Sequence, residues 1–400
     1  MSTAGRGDRG RPASPLTRPP SVVELGTLEQ PDRGNPSFIR DGGMSGPVGG
    51  KLLWLFGDAI SPHFGLVDNS AALGPSLPVS AAADLTRTDE QTDADGNPVP
   101  FIPMTAAEQN PPEGDRFALW AGNRIVPTAD GSGDAWVFFH QLQIPWDFDS
   151  HPWWTSAGIA RIHAPDARHR YPYVTRDNPV ACNPTCLFTA QVDPHQFNGT
   201  AIVDDGYLYL THAGSNPPYG RPLFATRADF SALDRLLTEG DGPGDTETAA
   251  QIKALFRYWN GGPGADPASW VDDMTQAASM VGFEEAWGGH HSISWNAYLS
   301  SYIAVYLDWD RKLKIRTAPT YVGPWSAPME LYDTASACTD NGTLNLYSGW
   351  DHPDLATANG RSIVVSYYCG NSVGSSVPAQ VHLLRATFPE PHRLSKNKEK

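Results

Sequence analysis

Short runs of branched and aromatic residues recur along the chain, each preceded by a Gly-, Asn- or Asp-rich turn. LLWLFGD (52–58), AWVFFHQLQI (135–144), YLYLTHA (207–213), SSYIAVYLDWD (300–310) and SIVVSYYCG (362–370) are too short and too irregular in period for amphipathic helices. They read as strands. Upstream of each lies a segment able to pair with it: 38–50, 117–127, 195–203, 290–299 and 346–355. Downstream of several comes a third strand, at 158–164, 222–230, 313–325 and 381–388. Five passes of one strand–turn–strand–strand unit predict a radial all-β architecture, since a lone unit cannot bury both of its faces. The fold expected is a five-bladed β-propeller.

One stretch departs from that rhythm. Between residues 227 and 280, Ile252, Leu255, Phe256 and Trp259 fall at helical spacing and are closed by Gly261 and Gly262. This predicts a small helical insertion, packed on the outside or rim of the propeller, with a lid over the site as the competing reading. Residues 1–30, rich in Pro, Gly, Ser and Arg, read as a disordered arm, 31–388 as one propeller domain, and 389–400 as a flexible tail.

Composition narrows the class. Gly (38) and Pro (36) are too dense for a long-helix protein, and 13 Trp, 14 Tyr and 15 Phe supply ample core. A net charge of −15 without a basic block argues against a nucleic-acid partner. There is no 18-residue apolar run to span a membrane. Cys182 and Cys186 could staple a short loop, with Cys338 and Cys369 as a second pair; a zinc site is the weaker match. Asn198-Gly-Thr and Asn341-Gly-Thr fit the glycosylation pattern, while the N-terminus lacks the apolar core of a signal peptide. No cofactor motif occurs: there is no phosphate-binding Gly loop, GxSxG or HExxH.

Propeller chemistry gathers where the first strands of the blades converge. Asp41 precedes Gly42-Gly43 and Asp58 ends a buried-looking strand, so a hairpin would bring the two carboxylates together; turn and strand capping is the equal alternative. Two further clusters offer a polar, aromatic surface for substrate. FEEAWGGHHSISWN holds Glu285, His291, Trp295 and Asn296, and GWDHPDL holds Trp350, Asp351 and His352. The adjacent His290 and His291 would face opposite sides of a strand, which disfavours metal chelation. Blade two adds Trp120 and Asn123, and blade three Asn198. No metal ligand set is expected.

Taken together, RDGG-x-S…LWLFGD, SISWNAYLSSYIAVY…RTAPTYVGPWS-x-P and YSGWDHPDL…GRSIVVSYY resemble the domain-of-unknown-function family 4185 from about Phe38 to Phe388. Relatives of that family fall in glycoside hydrolase family 183, the endo-acting D-arabinanases. The resemblance implies a five-bladed propeller, extracellular action and a catalytic aspartate pair in blade one, mapping here onto Asp41 and Asp58. Ala59 replaces the Thr that often follows the FGD motif, which puts the substrate in doubt. The expectation is a monomeric hydrolase of an arabinan-type polysaccharide, with Trp120, Trp295 and Trp350 as sugar platforms. Its rivals are a non-catalytic glycan-binding propeller and a protein-interaction scaffold.

Overall fold

In the computed structural model, the described residues are 16, 18–28, 39–61, 65–147, 154–189, 195–196, 200–214, 222–283, 290–336, 338, 345–370 and 380–390. They form 24 strands in five sheets arranged as the blades of a propeller. Each blade begins with the strand nearest the axis. These inner strands are Ile39–Val48, Asp115–Pro127, the broken pair His195–Gln196 and Ala201–Asp204, His291–Asn296, and Asn345–Asp351. The second strands are Lys51–Ser61, Ala135–Pro145, Tyr207–Gly214, Ser301–Leu307 and Ser362–Gly370, each antiparallel to its inner strand.

The unbroken apolar character of the second strands has a geometric cause. Side chains alternate across a strand, and each blade packs against a neighbour on both faces. Leu53 and Leu55 therefore enter the cluster shared with blade two, while Leu52, Trp54 and Phe56 enter the cluster shared with blade five. In blade four, Tyr302, Ala304 and Tyr306 face blade three, and Ile303, Val305 and Leu307 face blade five. Five such inter-blade clusters close the ring.

Two expectations need correction. Ser21–Thr27, inside the stretch read as a disordered arm, is a strand paired with the C-terminal strand Gln380–Thr387, so that both chain ends complete blade five. Val22 and Leu25 are only partly buried, against the clusters blade five shares with blades four and one, while Val23 is exposed, so the run shows no regular strand period. The helical insertion is also shorter than its periodicity implied. The helices span Phe230–Glu239 and Thr246–Ala254, capped by the carboxylates of Asp229 and Asp245. Arg257–Trp259 is a further strand of blade three: Tyr258 buries toward blade two and Trp259 toward blade four, an alternation that only a strand allows. Leu233, Leu237 and Ile252 pack between blades two and three, and Trp136 Nε1 donates to Asp234 at 2.7 Å. The helices start at the end of blade three remote from Asp41 and Asp58, so they form no lid over those residues.

The cysteines form two disulfides, Cys182–Cys186 and Cys338–Cys369. Among the described residues no helix is long and apolar enough to cross a membrane.

Candidate active site

The leading ends of the inner strands converge on Asp41 and Asp58. Asp41 sits in an irregular hairpin: the register between the first two strands slips on either side of Gly42, and Gly42 and Gly43 have φ of +83° and +88°. Such bulges bend a strand and re-aim its side chains. Arg40 turns to the opposite side, pairing with buried Glu90 and lying 4.0 Å from the centre of the Phe56 ring. The Asp41 carboxylate lies over the backbone of Gly57 and accepts its N–H and that of Asp58. A Cβ on Gly57 would stand 2.3 Å from Asp41 Oδ1, which is why glycine occupies that place.

Further donors come from other blades. The phenol of Tyr347, on the inner strand of blade five, donates to Asp41 Oδ2 at 2.6 Å. Trp120, on the inner strand of blade two, donates its Nε1–H to Asp58 Oδ1 at 2.7 Å. Beside it, Arg116 donates to Asp68 at 2.6 Å.

Both aspartates keep a partly exposed edge, yet the surrounding protein shifts them strongly. Desolvation, reinforced by the charge of Asp58, pushes Asp41 up to about 7 against the pull of its three donors. Asp58 is also raised by desolvation, opposed by the Trp120 hydrogen bond and the Arg116 charge. Desolvation likewise brings Asp68 to about 6. His290, exposed on one side, stacks on Trp350 at 5.6 Å, and its Nδ1 lies 3.0 Å from Ser348 Oγ. The result is two neighbouring carboxyl groups in unlike settings: Asp41 raised to about 7 by desolvation and the Asp58 charge, and Asp58 raised by desolvation against one indole donor and the Arg116 charge. Such a pair can give a proton on one side of a bond and take one on the other.

Of the residues expected at the site, the structure brings together Asp41, Asp58 and Trp120. Trp120 contacts Asp58 directly through its indole N–H. His352 is buried in the core, its ring nitrogens 2.7 and 2.8 Å from the hydroxyls of Ser45 and Ser366, with Trp54 4.8 Å away. His291 is buried against Thr211, 2.8 Å from its hydroxyl. Asn296 holds a turn: it donates to the Gly360 carbonyl and accepts from Leu299. Asp351 accepts from Ser294 Oγ and lies, like Trp350, in the protein interior. Trp295 is half-buried at the far end of its strand, away from the aspartates. Asn198 and Glu285 lie outside the described residues, as does the side chain of Asn123.

Tyr347, Arg116, Asp68 and His290 form the rest of the site; Arg116 and Asp68 carried no motif, while Tyr347 opens the YSGWDHPDL run and His290 lies in FEEAWGGHHSISWN without either being singled out as a site residue. Tyr347 stands three residues before Trp350 in the blade-five run, so the alignment of blade units and the YSGWDHPDL motif both pointed near it. Among the described residues no group of three or more His, Cys, Asp or Glu side chains could hold a metal ion.

No protein-family profile matches the chain, and no curated protein matches it. Solved structures do. A Bacteroides ovatus protein provisionally classed as a hydrolase superposes with a TM-score of 0.52 at 13% identity, over 91% of this chain and 87% of that one. An exo-β-1,3-galactanase from Phanerochaete chrysosporium gives 0.48 at 12% identity, over 92% and 64% of the two chains. A Bacillus subtilis arabinanase gives 0.41 at 10%, over 91% and 97%. At this identity the first match speaks for the propeller fold alone.

Proposed function

We propose that the protein is a glycoside hydrolase that cleaves a furanose-containing, arabinan-type polysaccharide with Asp41 and Asp58. The observation that carries this reading is the unlike pair at the channel mouth: Asp41 pushed up to about 7, beside an Asp58 bonded by Trp120 and faced by Arg116. In this scheme the Asp41 carboxyl protonates the glycosidic oxygen as the bond to C1 breaks. The Asp58 carboxylate either takes a proton from the attacking water or attacks C1 itself, the choice resting on the separation of the two groups. Tyr347 and Trp120 hold the carboxyls in place, and the motif resemblance described above supplies the furanoside class. A charge of −15 suits a neutral polymer better than a polyanion.

Asp41→Asn and Asp58→Asn, assayed by reducing-end release from a panel of arabinans, should each lose about 10²–10⁴-fold in rate. An aryl glycoside with a good leaving group should restore Asp41→Asn far more than Asp58→Asn, because its departure needs no acid. Full activity in either variant would remove that residue from the mechanism. Retention of glycan by the native protein without any chain cleavage would favour the non-catalytic binding reading instead.

A further inference from the structure

The trailing ends of the inner strands form a second, mainly apolar mouth, on the face opposite Asp41 and Asp58. Pro47, Ile125–Pro127, Ala201–Asp204, Ser294, Trp295 and Pro353 surround about 260 Å³ there. Asp204 and Trp295 also border a neighbouring groove of about 500 Å³ between blades three and four. That volume lies within the roughly 300–1,000 Å³ of small-molecule sites.

The groove has a rigid aromatic wall. Ring centres run Trp270–Tyr209 at 5.8 Å, Tyr209–Tyr321 at 4.7 Å, Tyr321–Tyr302 at 5.9 Å and Tyr302–Trp295 at 5.1 Å. Most of these rings are buried, while Trp295 and Tyr207 keep exposed surface in the groove. Two carboxylates border the same space. Asp204 accepts the Tyr302 phenol, and Asp205 is exposed at the tip of the blade-three hairpin.

The chemistry of the groove selects its ligand. Arg227 lies 4.2 Å from the Tyr207 ring centre and 4.3 Å from that of Trp270, so the slot an aromatic cage would offer a cation is already filled. Adjacent carboxylates oppose an anionic ligand, and a purely apolar ligand would desolvate them without return. A neutral polyhydroxyl ligand meets each feature: its C–H face lies on Trp295 or Tyr207, and its hydroxyls donate to Asp204 and Asp205 in charge-assisted bonds. Asp204 and Trp295 line both the groove and the neighbouring channel mouth, an adjacency that suits several linked units better than one. We infer that this face is a second, non-catalytic binding site for a neutral oligosaccharide segment. The assignment rests on the groove alone and does not require that the opposite face cleave anything.

The test uses the full chain carrying Asp41→Asn and Asp58→Asn, so that no polymer is consumed. Soluble arabinan, arabinoxylan and β-1,3-galactan are cast in native gels, and retardation gives Kd. Trp295→Ala removes a stacking face, and Ala265→Arg fills the groove from an exposed rim position without touching the aromatic wall. Both should weaken binding of the retained polymer by about tenfold or more. With native aspartates, Ala265→Arg should leave hydrolysis of short chromogenic glycosides unchanged. The inference is overturned if no polymer is retained, if Ala265→Arg binds as tightly as its parent, or if only Trp295→Ala loses binding. Loss of binding in both variants of a protein whose native form hydrolyses nothing would uphold this site and discard the hydrolase reading.

Discussion

At Asp41, desolvation and three hydrogen-bond donors act in opposite directions, and desolvation prevails. A carboxyl raised from its ordinary 3.8 to about 7 is neutral in the folded protein over a range where the unfolded chain would ionise it. Its contribution to stability is full below about pH 4 and falls away as pH rises through 7. Asp41→Asn keeps an acceptor for the Gly57, Asp58 and Tyr347 donors but never ionises. The variant should match the native protein at pH 4 and exceed it at pH 8, by on the order of 1–3 kcal/mol. Thermal melts at the two pH values measure this; a variant less stable at pH 8 would show that the carboxylate is not held at a cost. The same pair should give hydrolysis an alkaline limb near pH 7, where Asp41 loses its proton. Gly57 belongs to this scale too: in the sequence it only precedes Asp58 at the end of an apolar strand, and in the structure its missing Cβ makes room for the Asp41 carboxylate.

The elements show how both ends of the chain finish one blade. Ser21–Thr27 adds the outer strand to a sheet whose other three strands come from Asn345 onward, and Leu28 just beyond it is buried beside Leu52 and Trp54. Removing residues 1–28 would expose the backbone edge of Gln380–Thr387 and empty the Leu28 site. We expect a loss at least equal to that of one buried leucine, about 2–5 kcal/mol, read as a lowered denaturant midpoint. An unchanged midpoint would show that the closing strand contributes little. Alternation explains why this strand escaped the sequence and why Arg257–Trp259 resembled a helix. The first turns only Val22 and Leu25 partly inward, three residues apart rather than two; the second buries successive residues on opposite sides, which a short window cannot distinguish from one helical turn.

For the whole molecule, ring closure is the central fact. Every blade is wedged between two others, so the five interface clusters cannot be loosened singly without opening the ring. The Cys338–Cys369 bond ties the segment after blade four to the second strand of blade five, across a separation of 31 residues. By loop-closure entropy, Cys338→Ser with Cys369→Ser should cost about 3–4 kcal/mol. Reductant, which also opens Cys182–Cys186, should lower the native protein's melting temperature at least as far, and a double variant with unchanged melting would refute a structural role. The propeller also presents two faces, one with the Asp41–Asp58 carboxyl pair and one with an aromatic groove, which a polymer longer than the molecule could engage together.

By itself the sequence determined the blade count and nearly every central strand, because strand period and turn chemistry are local and are written in consecutive residues. It also marked Asp41 and Asp58, since a carboxylate beside glycines at the end of an apolar run is conspicuous in one dimension. The tertiary structure alone decided which neighbours those aspartates have. Tyr347, Trp120 and Arg116 arrive from blades two and five, some 60 to 300 residues away in the chain. It decided likewise that His352 and His291 are core and that Trp295 faces the other mouth. Proximity across blades depends on the closing of the ring, a property of the whole chain that no local window contains.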